Sequence, residues 1–598
     1  MLTGLVCQVG TYFNSGTQAS SLLFVGACRD GEPGTDHSLA KMLELFESSD
    51  TINTNTFLLG GFQLEPLNEM VSEVLCLPRR LTRSLSQIIY HKTQGYPLFV
   101  VEFLDSLLTE NLITHNKVTG WEWDVDAIDM KGISKSVAEL LSLKLQRLPH
   151  DVLFSMKVLS CFGSHVDQQT ISIVKNFEGS IGPMIIPALH VAQKEGLVEI
   201  VGPTVKFTHD LIQQAAFDLI PNVDRVPLLQ RLAGCFINQC LTLVDSDSTL
   251  FVAVDLINRI GRDAISNNIG QSRLFAELNF KAGKKSMTIT DFASAAKYFN
   301  SGISFLQGDY WNDQYQLSLG LFENLASSYY CEGNYDEVVI TTNKVFDKAN
   351  SFEDKFKSYC LYIKVLALNS MDEAIAKIYV LLNYLGEKID PEKITHPILT
   401  ADAMEVKQML LGNQKFRILH SFRMTDSTML IKMKLISMLI FYYNRQRSFM
   451  SGFLACRMLR ISLKHGHCED TVFALSIFSC TLINVLRDPD EACSMARASL
   501  SMLELHNSNN LIPRVYPFVH GMVMILQDPL HLSLDPLLRA CRLAFMNGNF
   551  ESAMMSTMLY VARSLHCGKK LNVIIQEVKA FALQHVSIYF FCSVLSEF

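Results

Sequence analysis

The sequence predicts a mainly α-helical protein, with a partial α/β unit and a winged helix placed before a long solenoid of helical repeats. Apolar residues recur at helical spacing along most of the chain, and beyond about Gln271 one helical segment follows another. In that region one apolar pattern recurs in several copies, as expected of stacked helix pairs. A chain of 598 residues is expected to form roughly three or four domains.

Residues 1–131 have the pattern of the last part of an α/β unit. Short apolar runs at 21–30 and 56–59 favour strands, and 37–46 has the apolar spacing of a helix. Residues 66–108 are helical in pattern, with a break at 95–97. These strands are too few for a complete sheet.

Residues 132–221 are predicted to form a winged helix, and 222–270 a helical connector. A helical stripe over 134–148 ends at Pro149. Two short strands at 196–201 and 205–207 flank the turn residues Gly202 and Pro203. Short helices that end in a small hairpin are typical of a winged helix.

The array is predicted over residues 271–598. Four copies of one pattern have small or medium apolar residues at the second and third positions, which let neighbouring helices approach closely. The copies are Phe292, Ala295, Ala296, Ile303; Tyr335, Val338, Val339, Phe346; Met371, Ala374, Ile375, Leu382; and Phe550, Ala553, Met554, Val561. Ordinary amphipathic helices of one globular domain are the alternative interpretation.

Composition argues against several classes of partner. The formal net charge of -7 gives no signature of nucleic-acid binding. No uninterrupted apolar run approaches the ~20 residues of a membrane-spanning helix. The 15 cysteines include no C-x-x-C pair, so we interpret them as free thiols in the reducing cytoplasm.

Motifs for catalysis are absent from the sequence. The pattern G-x-x-x-x-G-K-[ST] does not occur, and its nearest approach, Gly283-Lys284-Lys285-Ser286, lies in a helical pattern. Metalloprotease, hydrolase and kinase motifs are also missing. We therefore predict no catalytic residue and no metal ligand.

Three segments carry a family resemblance when taken in order: 23–30, LFVGACRD; 92–100, KTQGYPLFV; and 207–216, FTHDLIQQAA. They resemble the sensor strand, the G-x-P turn and the F-x-H-D helix of the STAND class of signal-transduction ATPases. The greatest likeness is to large proteins in which an origin-recognition-like AAA module precedes tetratricopeptide-like repeats. Residues 120–124 and 145–149 also look typical of that group, and the resemblance covers most of the chain.

The resemblance implies a nucleotide-binding role for four residues. Arg29 matches the arginine that reaches toward the γ-phosphate, a place that suits a permanently charged, forked donor. Gly95 and Pro97 match the turn whose proline packs near the adenine, and His209 matches the histidine that contacts the β-phosphate of ADP. Each residue also has a purely structural interpretation. Arg29 would be a solvated loop arginine and Pro97 a plain helix breaker. His209 would be a histidine at a helix start beside Asp210.

The chain departs from the family at its beginning. In the family, the phosphate loop and the acidic strand that positions magnesium lie upstream of the sensor strand, where this sequence starts. We therefore expect no ATP hydrolysis and no cofactor for the chain as given, with ATP or ADP as the ligand of the full-length family. Three explanations of this departure stay open: a truncated gene model, a processed product and a true orphan. Whether kinase or cyclase output domains follow, as in many relatives, also stays open.

These observations predict a signal-transduction regulatory or scaffold protein of the STAND type. Its nucleotide module is degenerate or truncated, its helical repeats bind protein partners, and nucleotide is a second candidate ligand. One rival is an active ATP-hydrolysing switch, if the full protein contains the upstream phosphate loop; another is a repeat scaffold whose front end is only a cap. A third is a winged-helix nucleic-acid binder, but residues 132–220 hold seven Lys/Arg and eight Asp/Glu and lack the basic face that phosphates require.

Overall fold

The structure, a computed structural model, confirms the mainly α-helical class and the helical solenoid. It describes residues 57, 59–116, 120–130, 137–175, 181–242, 247–262, 269–411, 422–445, 449–506 and 509–584. Within these residues the chain divides into two compact units, one of residues 57–278 and one of residues 279–584. No helix in the described ranges is both long and apolar enough to cross a bilayer.

The first unit begins with three helices and a hairpin. These elements are α1 (Leu64–Leu75), α2 (Arg79–Thr93), α3 (Pro97–Thr109), β1 (Ile113–Asn116), β2 (Gly120–Trp123) and α4 (Val125–Met130). Their apolar faces meet in one core that includes Leu67, Leu85, Val100, Phe103 and Ile128. The predicted break at 95–97 is confirmed, because α2 ends and α3 begins there.

The first residues show one difference from the sequence prediction. The strand expected at 56–59 is absent at its two described residues, Phe57 and Leu59, which are 81% and 93% exposed. An apolar run becomes a strand only when a neighbouring strand pairs with it. The strand predicted at 21–30 and the helix predicted at 37–46 lie outside the described residues.

The next part of the first unit combines short helices with a small antiparallel sheet. Its elements are α5 (Val137–Gln146), α6 (His150–Ser160), β3 (His165–Val166), α7 (Gln168–Lys175), α8 (Ile181–Lys194), β4 (Val198–Val201), β5 (Thr204–Phe207), α9 (Asp210–Asp218), α10 (Asn222–Thr242) and α11 (Asp247–Ile260). The sheet order is β3-β5-β4. Val201 pairs with Thr204 across a two-residue loop, in which Gly202 has the positive φ of 59° that such a turn favours. The predicted hairpin is confirmed.

The second unit is a series of antiparallel helices. They are α12 (Ile269–Thr288, which enters from the first unit), α13 (Phe292–Phe305), α14 (Tyr310–Asp313), α15 (Tyr315–Glu332), α16 (Tyr335–Lys348), α17 (Phe352–Asn369), α18 (Met371–Tyr384), α19 (His396–Leu411), α20 (Ser427–Arg445), α21 (Met450–His465), α22 (Glu469–Asn484), α23 (Pro489–His506), α24 (Ile512–Phe518), α25 (Leu534–Met546), α26 (Phe550–His566) and α27 (Leu571–Gln584). Most helices pack against the next helix in sequence and several also pack against the second one along. This is the contact pattern of stacked helix pairs.

The four copies of the predicted repeat pattern share one structural position. Each copy starts at the first residue of a helix, namely α13, α16, α18 or α26. The residue before each helix is Asp291, Asn334, Ser370 or Asn549. All but Asn334 accept a side-chain hydrogen bond from the backbone N–H of the third residue of the helix. The small second-position residues Ala295, Ala374 and Ala553 are fully buried. The repeated sequence pattern therefore corresponds to a repeated position at the start of a helix.

The array also returns toward its own beginning. Gly548, in the turn before α26, lies against Cys331 near the end of α15, and a Cβ built on Gly548 would be 2.3 Å from the Cys331 sulfur. Glu551, at the start of α26, interacts electrostatically with Tyr330. A strictly one-dimensional stack has no such contact between distant repeats, so this array is closed by α26.

Candidate functional site

The G-x-P turn is held tightly by the segment before α1. The Phe62 N–H donates to the Gly95 carbonyl at 2.8 Å, and Gly95 has a φ of 72°. A Cβ on Gly95 would be 2.1 Å from the Phe62 carbonyl oxygen, and one on Gly61 would be 2.3 Å from the Gln94 carbonyl oxygen. Both glycines are therefore required by backbone packing alone.

Pro97 is the first residue of α3, where the missing N–H of proline is of no consequence. It is exposed, and so is Tyr96 before it. The structure thus gives Pro97 a role in starting the helix. Its proposed contact with adenine stays a prediction.

His209 caps α9. Its Nδ1 accepts a hydrogen bond from the Leu211 N–H at 3.1 Å. A ring nitrogen that accepts carries no proton, so the Nε2 of the neutral ring is the donor. This confirms a histidine at a helix start beside Asp210, and its contact with nucleotide stays a prediction.

One helix connects the elements that begin at Pro97 and at His209. Helix α5 packs against α3 on one side and against α9 on another. Its Lys144 lies 3.2 Å from the Glu102 carboxylate of α3. Arg29 lies outside the described residues, so the structure does not bring all four predicted nucleotide-binding residues together.

The nearest approach to a phosphate loop is part of a helix, as predicted. Gly283 lies within α12, and a Cβ there would be 2.5 Å from the Phe299 ring. The glycine therefore permits α12 to approach α13 closely. Lys284 places its ammonium 4.7 Å from the Phe280 ring centroid, a cation–π contact on the same helix.

A basic cavity that no sequence pattern predicted lies within the second unit. The cavity has a volume of about 240 Å³ and is lined from α15, α17, α20, α24 and α26. Four of its lining residues are cations: Lys357, Lys364, Lys434 and Arg514. They lie far apart in the sequence, and only Lys357 and Lys364, two helical turns apart on α17, give a local signal.

A buried carboxylate fixes two of these cations. Asp470 is 7% exposed and accepts a hydrogen bond from Arg514 at 2.8 Å, with the Lys434 ammonium 4.0 Å away. Burial raises the pKa of Asp470, but the charges of Lys434 and Arg514 and hydrogen bonds from Arg514 and Ser437 outweigh it and bring the pKa to about 2. Arg514 also donates to the Ser437 hydroxyl and stacks 4.4 Å from the Phe473 ring centroid. Arg514 is therefore held rigidly at the cavity wall.

Five cysteines of the described residues are buried: Cys161, Cys456, Cys468, Cys493 and Cys541. Burial raises the pKa of Cys161 and of Cys456 to about 12, which disfavours the reactive thiolate. In the same ranges, no group of three or more His, Cys, Asp or Glu side chains is arranged to hold a metal ion.

Comparison with known proteins finds only distant similarities. No family model matches the chain. Over 465 residues it is 23% identical to the hybrid signal transduction histidine kinase G of Dictyostelium discoideum, a match that covers 66% of this chain but only 13% of the kinase. A solved structure, the STAND protein with a tetratricopeptide repeat sensor from Pyrococcus horikoshii, aligns over 90% of this chain and 74% of its own, at 12% identity and a TM-score of 0.27. A TM-score this low does not establish a shared fold, and the chain spans only a small part of the kinase it matches.

Proposed function

We propose that this chain is a regulatory part of a STAND-type signalling protein, in which the helical array receives a protein partner. The observation that carries the proposal is the order of the parts. A G-x-P turn between two helices comes first, then helices with a small antiparallel sheet, then a long series of helix pairs. The distant similarity to a signalling histidine kinase favours the same class.

The middle part is proposed to be a winged helix that serves within the protein rather than on nucleic acid. Support comes from the three-stranded sheet β3-β5-β4, the two-residue loop at Gly202 and the helices α6 to α8 before it. The nearly balanced charge of residues 132–220 gives no basic face for phosphates.

The array is the part proposed to bind the partner. Stacked helix pairs form extended surfaces suited to a protein ligand. Closure of this array by α26 places side chains from several pairs around one cavity.

The proposal is tested by cross-linking the full-length chain to its partners in cells and locating the cross-linked residues by mass spectrometry. We expect the same partner to be cross-linked repeatedly within residues 279–584. The variant Ala374→Glu, which places a charge at a fully buried position of the array, should abolish these cross-links. The variant Ala376→Glu, on the exposed side of the same helix, should keep them.

Two results would contradict this function. Partner cross-links confined to residues 57–278 would show that the array is not the receiving part. ATP turnover by the purified chain that is abolished by Arg29→Ala would show an active ATPase instead of a regulatory part.

Nucleotide contact by His209 is a second proposal, and the hydrogen bond of its ring favours it. Because Nδ1 is occupied by the Leu211 N–H, Nε2 is left with a proton to donate to a phosphate oxygen. A contact made only with ADP would favour one conformation of the protein over another. ATP and ADP remain proposed ligands of a longer chain that contains the family's phosphate loop.

A further inference from the structure

The basic cavity of the second unit has one positive charge that its own carboxylates do not balance. Its four cations face three carboxylates: Glu551 lines the cavity, Asp470 binds Arg514 and Lys434, and Glu323 lies 3.5 Å from Lys357. Lys357, Lys434 and Arg514 each form an ion pair, and Lys364 is the remaining cation. In the described part of the chain it is within ion-pair distance of no carboxylate, and its ammonium lies 5.3 Å from the Tyr330 ring centroid.

Nearby cations also act on the pKa of Lys434. Asp470 raises the pKa of Lys434, but the charge of Arg514, burial and the charge of Lys364 together lower it below its usual value. A cluster of cations that repel one another in a partly enclosed space is stabilised by a bound anion.

The rest of the cavity wall defines what kind of anion fits. Leu361, Met438 and Phe441 contribute apolar surface, and Ser437 and Ser552 contribute hydroxyls. The volume of about 240 Å³ lies below the roughly 300–1,000 Å³ of sites for drug-sized ligands. A single unbalanced charge beside an apolar wall suits a small monoanion with an apolar body better than a multiply charged, fully polar ion.

We propose that this cavity binds a small organic acid, with its carboxylate at Lys364 and its apolar body against α17 and α20. The site deepens the proposed function by naming a ligand of the array, and it rests on that function only in taking the array as the receiving part. Because Ser327 of α15 and Ser552 of α26 also line the cavity, the bound acid joins an early helix of the array to a late one. It should therefore stabilise the closed form.

The experiment measures binding of benzoate to the full-length chain by ligand-observed NMR, and its effect on thermal melting. Benzamide, which has the same ring without the charge, is the ligand control. We expect saturable benzoate binding, weaker or absent benzamide binding, and a higher melting temperature with benzoate. Lys364→Met should weaken benzoate binding about tenfold or more, as expected for loss of one charge-assisted hydrogen bond, and Lys364→Arg should restore most of it.

A matched control variant separates the site from a general effect of charge. Lys377 on α18 has a similar cation–π contact, 5.7 Å from the Tyr359 ring centroid, but does not line the cavity. Lys377→Met should leave benzoate binding unchanged. Acetylphenylalanine, a mimic of a peptide C-terminus, distinguishes the two sources of a carboxylate: tighter binding than benzoate assigns the carboxylate to a peptide end, and weaker binding to a free acid.

Two results on the unmodified chain would overturn the site: a lack of saturable benzoate binding, or benzamide binding equal to that of benzoate. An equal loss of benzoate affinity in Lys377→Met and Lys364→Met would also overturn it. So would tighter binding of inorganic phosphate than of benzoate. The NMR comparison of benzoate with benzamide on the unmodified chain needs no variant, so a folding defect in Lys364→Met would not obscure it. No protein partner is present in this measurement, so its failure would leave the proposed protein–protein function standing.

Discussion

At the scale of single residues, His209 has two roles that substitutions can separate. One is the hydrogen bond that caps α9, and the other is the proposed contact with nucleotide. Replacing His209 with alanine removes the cap of α9, which typically costs about 0.5–2 kcal/mol. His209→Asn should keep most of that stability, because asparagine is a strongly preferred cap. Urea unfolding of the full-length chain measures the difference, and equal stability of the two variants would show that the ring nitrogen does not act as a cap.

A second prediction concerns ADP in a longer chain that contains the phosphate loop. Calorimetry should find that both variants weaken ADP binding. Unchanged ADP affinity in both would leave His209 with the cap alone.

The residue scale also marks the limit of what the sequence predicts. The turn at Gly95 and the helix start at Pro97 and His209 follow from local residue chemistry, so they could be predicted. The contact of Gly95 with the Phe62 backbone joins segments that no local pattern connects. The cavity cations on α17, α20 and α24 are likewise separated by long stretches of sequence, and only packing reveals that they share a space.

At the scale of elements, one helix provides a matched test of the repeat packing. Ala374 is fully buried in α18, whereas Ala376, two residues on, is exposed. Ala374→Glu should destabilise the array by several kcal/mol, because it buries a charge without a partner. Ala376→Glu should change stability by less than about 0.5 kcal/mol. Urea unfolding followed by circular dichroism measures both, and similar midpoints for the two variants would contradict the assigned packing of α18.

Elements differ in how far their sequences predict them. The four repeat copies were recognisable because small residues at fixed positions recur where helices touch, and each copy begins at a helix start. The hairpin of β1 and β2 was missed, although Trp121 and Trp123 alternate with Glu122 after Gly120, since a strand of four residues carries little periodicity. The strand expected at 56–59 was wrong at Phe57 and Leu59, because apolar content does not supply a pairing partner.

At the scale of the whole array, closure by α26 is tested with a pair of glycines. Gly548 and Gly568 both have positive φ, at 63° and 72°, but only Gly548 faces a neighbour, the Cys331 sulfur. Alanine at either position should cost about 1–2 kcal/mol for its backbone conformation, and Gly548→Ala should cost more because it also pushes Cys331 away. Peptide-resolved maleimide labelling should then show faster reaction of Cys331 in Gly548→Ala than in Gly568→Ala. Equal labelling rates would contradict closure.

Closure by α26 also sets an order of events during synthesis of the chain. Contacts within a helix pair are local and form quickly, whereas the contact of Gly548 with Cys331 joins residues more than 200 positions apart and must wait for loop closure. At translation rates of about 5–20 residues per second, Cys331 leaves the ribosome roughly 10–40 seconds before its partner does. For that interval Cys331 lacks the contact with Gly548 that the finished array provides. The nascent chain thus has a defined window in which chaperones can act on it before α26 arrives.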